Sequence, residues 1–292
     1  MIRLKKDKIK ELLRAALKED VKTGDITSNL LIAKGQKVKA NLILREDGVI
    51  AGLDIYKLFF RMTNKQIRFK SFREDGDFIK AGKGSNAKVI AEVSGNARDI
   101  LKIERLGLNL IAHLSGIASL TYKFVKEVKG YKTKIIDTRK TTPNLRYFEK
   151  YAVRVGGGLN HRMGLYDKVL IKDNHIKISG MTPADCVRLA GKRTKKEIEV
   201  EIKHFSQLLE TIKAKPDVIM LDNMNIAQIK KAIAIKDNFY KQNKSHKKIL
   251  IEVSGNVSLS NVRKIAACKV DLISIGALTH SNPSLDMALK VV

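Results

Sequence analysis

Apolar residues recur along this chain in two rhythms, one before and one after about residue 131. Ile9, Leu12, Leu13, Ala16 and Leu17 fall at the i, i+3, i+4, i+7, i+8 spacing of one helical face. They predict an opening helix that ends near Glu19-Asp20, before a turn-rich Thr23-Gly24-Asp25. Residues 36–100 then look strand-rich. Residues 37–44 alternate in part, Gln66-Ile-Arg-Phe-Lys-Ser-Phe72 alternates cleanly, and turn residues cluster at 46–48, 74–77 and 81–84. Helical spacing returns over 96–126, with Ile100, Leu101, Ile103, Leu106, Leu110 and Ile111 as core candidates.

In the second rhythm, short apolar runs each end abruptly in polar residues. Lys134-Ile-Ile-Asp137 leads into Thr138-Arg139-Lys140, and Val169-Leu-Ile171 into Lys172-Asp173-Asn174-His175. Ile198-Glu-Val-Glu201 leads into Lys203-His204, and Val218-Ile-Met-Leu221 into Asp222-Asn223. Ile249-Leu-Ile-Glu-Val253 leads into Ser254-Gly255-Asn256, and Leu272-Ile-Ser-Ile275 into Gly276. Stretches of helical character, such as 206–213 and 226–235, lie between them. Strands alternating with helices make a parallel sheet with right-handed crossovers. Six or so such units in about 160 residues predict an α/β barrel, complete or open, since eight units take about 250.

Composition narrows the class. The 292 residues are 44% hydrophobic and 30% charged, which is globular, and long enough to bury a core without staples. Cys186 and Cys268 stand far apart without CxxC spacing, which excludes a disulfide framework and a cysteine zinc site and suits a reducing cytosol. The longest apolar runs are far too short for a bilayer, and residues 1–20 lack a signal peptide's continuous apolar core. A cytoplasmic protein with no membrane partner is expected. The net charge of +27 first suggests nucleic acid. Yet the basic residues are mostly Lys spread over the whole chain, densest in the short stretches 191–196 and 241–248. Aromatics are only 5%, Trp is absent, and no zinc-finger, RRM or bZIP pattern occurs, so no nucleic-acid partner is expected. The charge is either a Lys-rich surface bias or, for a subset of Arg, Lys and His, attraction of a small polyanionic substrate.

In α/β barrels the site forms at the C-terminal strand ends. Here those ends carry Arg139, Lys140, Lys172, Asp173, His175, Glu201, Asp222, Ser254, Gly255 and Gly276. A polar residue after a strand is often only a turn or cap, but six coincident ends form a cation-rich rim. Loops after the last barrel strands frequently bind phosphate, which suits Ser254-Gly255-Asn256 and Ser274-Ile275-Gly276. Glu201 and Asp222 suit sugar hydroxyls or, through water, Mg²⁺. Arg and Lys suit carboxylates and pyrophosphate. The pocket is therefore read as binding a phosphorylated sugar and a carboxylate-bearing partner. The Gly156-Gly157-Gly158 triplet is either a flexible turn or a backbone approach that delivers His161 and Arg162. His113 reads as a buried core histidine; His204, His246 and His280 lack partners at metal-ligand spacing. Asp173-Asn174-His175 is read as orienting Lys172 or its loop.

Four motifs, Thr138-Arg-Lys-Thr-Thr-Pro143, Gly156-Gly-Gly-Leu-Asn-His-Arg162, Leu170-Ile-Lys-Asp-Asn-His175 and Ile275-Gly-Ala-Leu-Thr-His-Ser281, together resemble the quinolinate phosphoribosyltransferase family. The likeness runs nearly end to end and takes in Gly24-Asp-Ile-Thr-Ser28, Glu104-Arg-Leu-Gly-Leu-Asn109 and His113-Leu-Ser-Gly-Ile-Ala118. It implies an N-terminal α/β sandwich domain over 1–113, rejoined by 278–292, and an open TIM-like α/β barrel over 114–277. It also implies a homodimer in which Arg105 is lent to the other subunit's site. Thr138, Arg139, Lys140, His161, Arg162 and Lys172 would line a quinolinate and pyrophosphate pocket. Glu201 and Asp222 would hold ribose hydroxyls and Mg²⁺. Ser254, Gly255, Asn256, Ile275, Gly276 and Ala277 would hold the 5′-phosphate.

The implied reaction joins quinolinate to 5-phosphoribosyl-1-pyrophosphate with decarboxylation, in de novo NAD biosynthesis. Lys140, Lys172, Glu201 and Asp222 would be its catalytic residues. A related protein of this fold with another acceptor, such as the molybdenum-transport-associated homologue, would keep the phosphate and sugar residues. The His161-Arg162 pair and the intact 172–175 motif favour quinolinate. Two positions depart from the family pattern: Asn144 and Asn256 stand where Gly is usual, and Asn tolerates positive φ better than most residues.

Overall fold

A computed structural model describes residues 5–243 and 247–292, so His246 and part of the basic 241–248 stretch lie outside the described residues. The chain divides into two compact units: Met1–Tyr122 with Phe148–Gly157 and Ser281–Val292, and Lys123–Tyr147 with Gly158–His280.

The first unit opens with α1 (Lys6–Asp20) and α2 (Ile26–Leu31). Then come β1 (Lys37–Leu44), β2 (Gly48–Val49), α3 (Leu53–Thr63), β3 (Arg68–Ser71), β4 (Phe78–Ile79), β5 (Lys88–Asn96) and most of the long α4 (Ala97–Glu127), whose end from Lys123 belongs to the second unit. The second carries β6 (Lys134–Ile136), β7 (Val169–Ile171), β8 (Ile198–Ile202), β9 (Val218–Asp222), β10 (Leu250–Ser254) and β11 (Leu272–Ser274). Its helices include α6 (Asp173–Ser179), α7 (Pro183–Arg193), α8 (Leu208–Lys213), α9 (Ile226–Gln242), α10 (Val262–Ala266) and α11 (Ala277–His280). Between β6 and β7 lies α5 (Arg146–Val155), most of which belongs to the first unit, as does the final strand β12 (Met287–Val291).

In the first unit an antiparallel sheet runs β12-β1-β5-β3. The β1–β5 register slips between Leu42 and Ile43, the mark of a bulge. Ala40, Leu42 and Leu44 of β1 and Ile55, Tyr56, Phe59 and Phe60 of α3 are buried. Tyr56 and Phe60 stack at 4.7 Å, and Phe60 and Phe69 at 5.9 Å. The alternating 66–72 segment yields only the four residues of β3, because this edge strand has one neighbour and leaves Lys70 and Ser71 in solvent.

The second unit is a six-stranded parallel sheet, β6-β11-β10-β9-β8-β7. Both faces of such a sheet are covered, which is why its strands read as short unbroken apolar runs. All five residues of β8 are buried, as are the first four of β9. The end strands β6 and β7 do not pair with each other, so the barrel is open. Beside β6, Leu159 donates to Ile135 and accepts from Asp137, extending that edge as a parallel bridge to Ile136. The register Ser254↔Asp222, Ser254↔Ser274 and Ser274↔Ile136 aligns the C-terminal ends of four strands.

Helix α9 runs to Gln242, a full two turns past the end of its apolar rhythm at Ile235, and its start is fixed by Asn225 accepting from the Gln228 N–H. No helix among the described residues is long and apolar enough to cross a membrane. Cys186 and Cys268 are both free and buried.

Candidate active site

The C-terminal strand ends of the second unit surround a pocket of about 820 Å³. Thr138, Arg139 and Lys140 enter after β6, Lys172 after β7, Glu201 from β8 and Asp222 from β9. Ser254, Gly255 and Asn256 line it at the end of β10, and Ile275, Gly276 and Ala277 after β11. His161 and Arg162 reach it from the segment laid along β6. Two sequence candidates do not line this pocket: Arg105, which is exposed on α4 in the first unit, and His175, which holds the loop after β7.

Local bonds explain these placements. Buried Asp137 accepts from Asn160 Nδ2 at 2.6 Å and from the His161 N–H at 2.9 Å, which fixes where the 158–162 segment leaves β6. The Gly triplet does not itself line the pocket; Gly157 takes a left-handed turn (φ 89°) at the end of α5. Lys140 is held by its backbone, its N–H donating to Thr138 Oγ1 and its carbonyl accepting from Thr279 Oγ1. A Cβ on Gly276 would stand 2.9 Å from Lys140 Cδ and 3.1 Å from His280 Nε2, so glycine there lets both side chains close in. Gly255 has φ 89°, and a Cβ on it would stand 2.1 Å from Asn223 Oδ1. Asn223 in turn donates to Asp222 Oδ2 at 3.0 Å and accepts from Asn256 Nδ2 at 3.2 Å, linking the Asp222 carboxylate to the β10 loop. His175 Nδ1 accepts the Lys172 N–H, so this histidine holds the loop, while Asp173 lines the pocket and pairs with Lys203 at 2.8 Å.

Charge is unevenly distributed. Arg139 Nε and Arg162 Nε are buried without a hydrogen-bond partner. Burial and the neighbouring Arg139 guanidinium lower the Arg162 pKa, as expected where two cations share a confined space. Among the carboxylates, burial and the nearby Asp222 raise Glu201. Below both lies a buried cluster that sequence patterning missed: Glu199 on β8 and Glu252 on β10 are fully buried, with His161 Nε2 2.9 Å from Glu199 and 3.9 Å from Glu252. Burial alone would raise Glu199, but the hydrogen bond from His161 and the Lys168 ammonium hold it below the usual carboxylate range. Burial and the Glu199 charge push Glu252 well above it.

Asn174, read from the sequence only as orienting Lys172, also lines the pocket, as do Lys203, Asn223, Val257 and His280, which the sequence did not mark as site residues. Asn223 and Lys203 were legible as strand-end residues, each one or two places past a candidate. His113 is mostly but not fully buried, its side chain 24% exposed, and its ring lies 2.9 Å from the buried Glu149 carboxylate. The helical pattern hid a polar partner that only α5 supplies.

Comparison with known proteins matches residues 25–115 to the quinolinate phosphoribosyl transferase N-terminal domain and 117–290 to the C-terminal domain of the same enzyme. The chain belongs to the quinolinate phosphoribosyl transferase family. It is 40% identical over 291 residues to the probable nicotinate-nucleotide pyrophosphorylase [carboxylating] of Methanocaldococcus jannaschii, covering 98% of each chain. It is 38% identical over 290 residues to the nicotinate-nucleotide pyrophosphorylase [carboxylating] of Mycobacterium leprae, again covering 98% of each. Among solved structures it is similar to NadC from Streptococcus pyogenes, with a TM-score of 0.90 at 36% identity over 100% of this chain and 99% of that one. The nicotinate-nucleotide pyrophosphorylase from Francisella tularensis gives 0.89 at 39% identity over 99% and 98%. The two departures from this family's glycines are accommodated by the backbone: Asn144 has φ 65° and Asn256 φ 51°, both in the left-handed region that Asn enters at modest cost.

Proposed function

We propose that the chain performs its family's reaction in this pocket: transfer of the phosphoribosyl group of 5-phosphoribosyl-1-pyrophosphate to quinolinate, with loss of carbon dioxide. The products are nicotinate mononucleotide and pyrophosphate. The observation that carries the reading is the pair Arg139 and Arg162, two guanidinium groups with buried, unpartnered Nε–H donors close enough to depress one of them. Such a pair is satisfied by a compact dianion with planar oxygens, which a pyridine dicarboxylate supplies.

The chemistry needs no nucleophilic side chain. The pyridine nitrogen lone pair forms a bond to the anomeric carbon while the bond to pyrophosphate breaks, through a cationic sugar. Catalysis is then positioning plus charge stabilisation. Lys140 and Lys172 offset charge on the departing pyrophosphate; Asp222 or Glu201 stabilises the sugar cation. Once alkylated, the ring nitrogen is positive, so the electron pair left by the adjacent carboxylate is stabilised until that carbon takes up a proton. The backbone around Gly255, Asn256, Gly276 and Ala277, with Ser254 and Ile275 beside it, receives the 5′-phosphate and ribose. Glu201 and Asp222 suit Mg²⁺ as a donor set, being hard carboxylate oxygens at adjacent strand ends, where burial first and then the Asp222 charge raise Glu201. Bound there, the ion would supply charge neutralisation for the pyrophosphate.

The working form is a cytoplasmic homodimer. Arg105 is exposed and does not line its own chain's pocket, as expected of a residue lent to a second copy. Ile26, Leu30 and Leu31 on α2 are each at least three-quarters exposed, the kind of apolar patch that a partner covers. Two free, buried cysteines suit a reducing compartment.

Purified protein with quinolinate, 5-phosphoribosyl-1-pyrophosphate and Mg²⁺ should release nicotinate mononucleotide and carbon dioxide in equal amounts. A parallel reaction with nicotinate should stay silent. Equal use of nicotinate would reject the two-carboxylate reading, and silence from a folded dimer that binds the sugar phosphate would point to another acceptor.

A further inference from the structure

The buried cluster beneath the pocket has a connectivity that the reaction outlined above does not use. His161 Nδ1 accepts the Arg162 backbone N–H at 2.7 Å, so the ring proton sits on Nε2, which faces Glu199 Oε2 at 2.9 Å. The same carboxylate oxygen lies 3.2 Å from Lys168 Nζ. The Lys168 backbone carbonyl then accepts from Arg162 Nη1 at 3.2 Å. The contacts thus close a ring: Arg162 backbone, His161 imidazole, Glu199 carboxylate, Lys168 ammonium, Lys168 carbonyl, Arg162 guanidinium. Arg162 is gripped at both its backbone and its head by two neighbours that are tied to each other through one fully buried glutamate.

A buried carboxylate costs several kcal/mol unless charge and hydrogen bonds offset it, and an apolar side chain of similar size would cost less. Placing Glu199 inside the barrel therefore gives up stability, and what it returns is geometric. The three groups His161, Glu199 and Glu252 have ligand atoms within 4.8 Å of one another, a metal-like grouping. The Lys168 ammonium already sits on Glu199, however, and supplies the positive charge there. Lys168 is anchored again by Glu197 at 3.0 Å, so its ammonium is held from two sides.

We propose that Glu199 and Lys168 are positioning residues for Arg162, Glu199 acting through His161 on its backbone and Lys168 through its own carbonyl on the guanidinium, setting the enzyme's grip on the acceptor's carboxylate rather than on the phosphoribosyl donor. The proposal rests on the reading of Arg162 as an acceptor ligand. The residues read as holding the sugar phosphate, Glu201 on β8 and those at the ends of β9, β10 and β11, make none of the contacts in this ring.

Steady-state kinetics with both substrates varied, on wild type, Glu199→Gln, Lys168→Met and Lys168→Arg, tests it. A misplaced binding group costs roughly ten- to a hundredfold. Glu199→Gln and Lys168→Met should each raise KM for quinolinate by about tenfold or more, leave KM for 5-phosphoribosyl-1-pyrophosphate within about twofold, and change kcat less than the quinolinate KM. Lys168→Arg, which keeps the cation, should recover most of the loss. If both KM values rise together, if neither moves, or if Lys168→Arg is no better than Lys168→Met, the proposal is wrong. If Glu199→Gln does not fold, the Lys168 pair decides, since that side chain is 14% exposed and lies at the edge of the cluster. A wild-type protein that ignores quinolinate would reject the function itself; an active wild type with unselective variants would reject only the ring.

Discussion

The two sheets solve the problem of burial in opposite ways. In the antiparallel sheet of the first unit the buried strand residues are aliphatic, and α3 covers them with Tyr56, Phe59 and Phe60. In the parallel sheet of the second unit Glu199, Glu201, Glu252 and Ser274 are buried on strands, with His161 and Arg162 beside them. Apolar burial contributes stability in proportion to area; buried carboxylates oppose it unless every group is satisfied. The first unit's sheet is therefore built for stability and the second unit's sheet for chemistry, and the difference is visible in which residues each can lose.

Arg162→Ala should show the largest effect. It removes a charged contact and leaves the partner unpaired, a loss of about 2–5 kcal/mol, or roughly thirtyfold to several-thousandfold in kcat/KM for quinolinate. Thermal stability should hardly fall, because the Arg162 side chain contributes one hydrogen bond, from Nη1 to the Lys168 carbonyl, and an unsatisfied Nε, while its backbone N–H is kept in the variant. A substantial loss of Tm with normal kinetics would erase the contrast between the units. Phe60→Ala is the mirror experiment: removing a fully buried ring should cost about 3–5 kcal/mol in denaturant unfolding while both KM values stay put. Altered quinolinate affinity in that variant would show that the first unit's core is not merely structural. Smallest, Asn144→Ala should lose about 1 kcal/mol, because alanine lacks asparagine's tolerance of φ 65°, whereas Asn144→Gly should be neutral or slightly stabilising. Calorimetric melts of the two variants side by side would separate them; equal melting would mean that the loop relaxes out of the left-handed conformation.

The same division governs what the sequence disclosed. Strand ends were legible because a parallel sheet covered on both faces leaves an abrupt switch from apolar to polar residues, and all six such switches fall at the ends of real strands. The pocket rim followed from that switch together with the motifs. Glu199 and Glu252 were not legible. Inside Ile198-Glu-Val-Glu-Ile202 and Leu250-Ile-Glu-Val-Ser254 a glutamate on alternate positions reads as a solvent face, whereas all of β8 is buried. Only the cations that converge from other segments, Lys168 above all, reverse that reading, and convergence across distant segments leaves no local pattern. The far half of α9 was missed for a simpler reason: Lys236-Asp-Asn-Phe-Tyr-Lys-Gln242 carries little apolar period, and the helix continues through it on propensity and its capped start.

The pairing of β12 with β1 also sets a timetable. Ala40 meets Val291 across that ladder, so the first sheet waits for a strand made roughly 250 residues later, with the whole barrel unit synthesised in the interval. At ordinary translation speeds the wait is roughly ten to fifty seconds. Throughout it β1 presents an open edge, a standing invitation to pair with the wrong chain. Exposed Lys37 and Lys39 at the start of that strand are the charges that make the invitation less welcome.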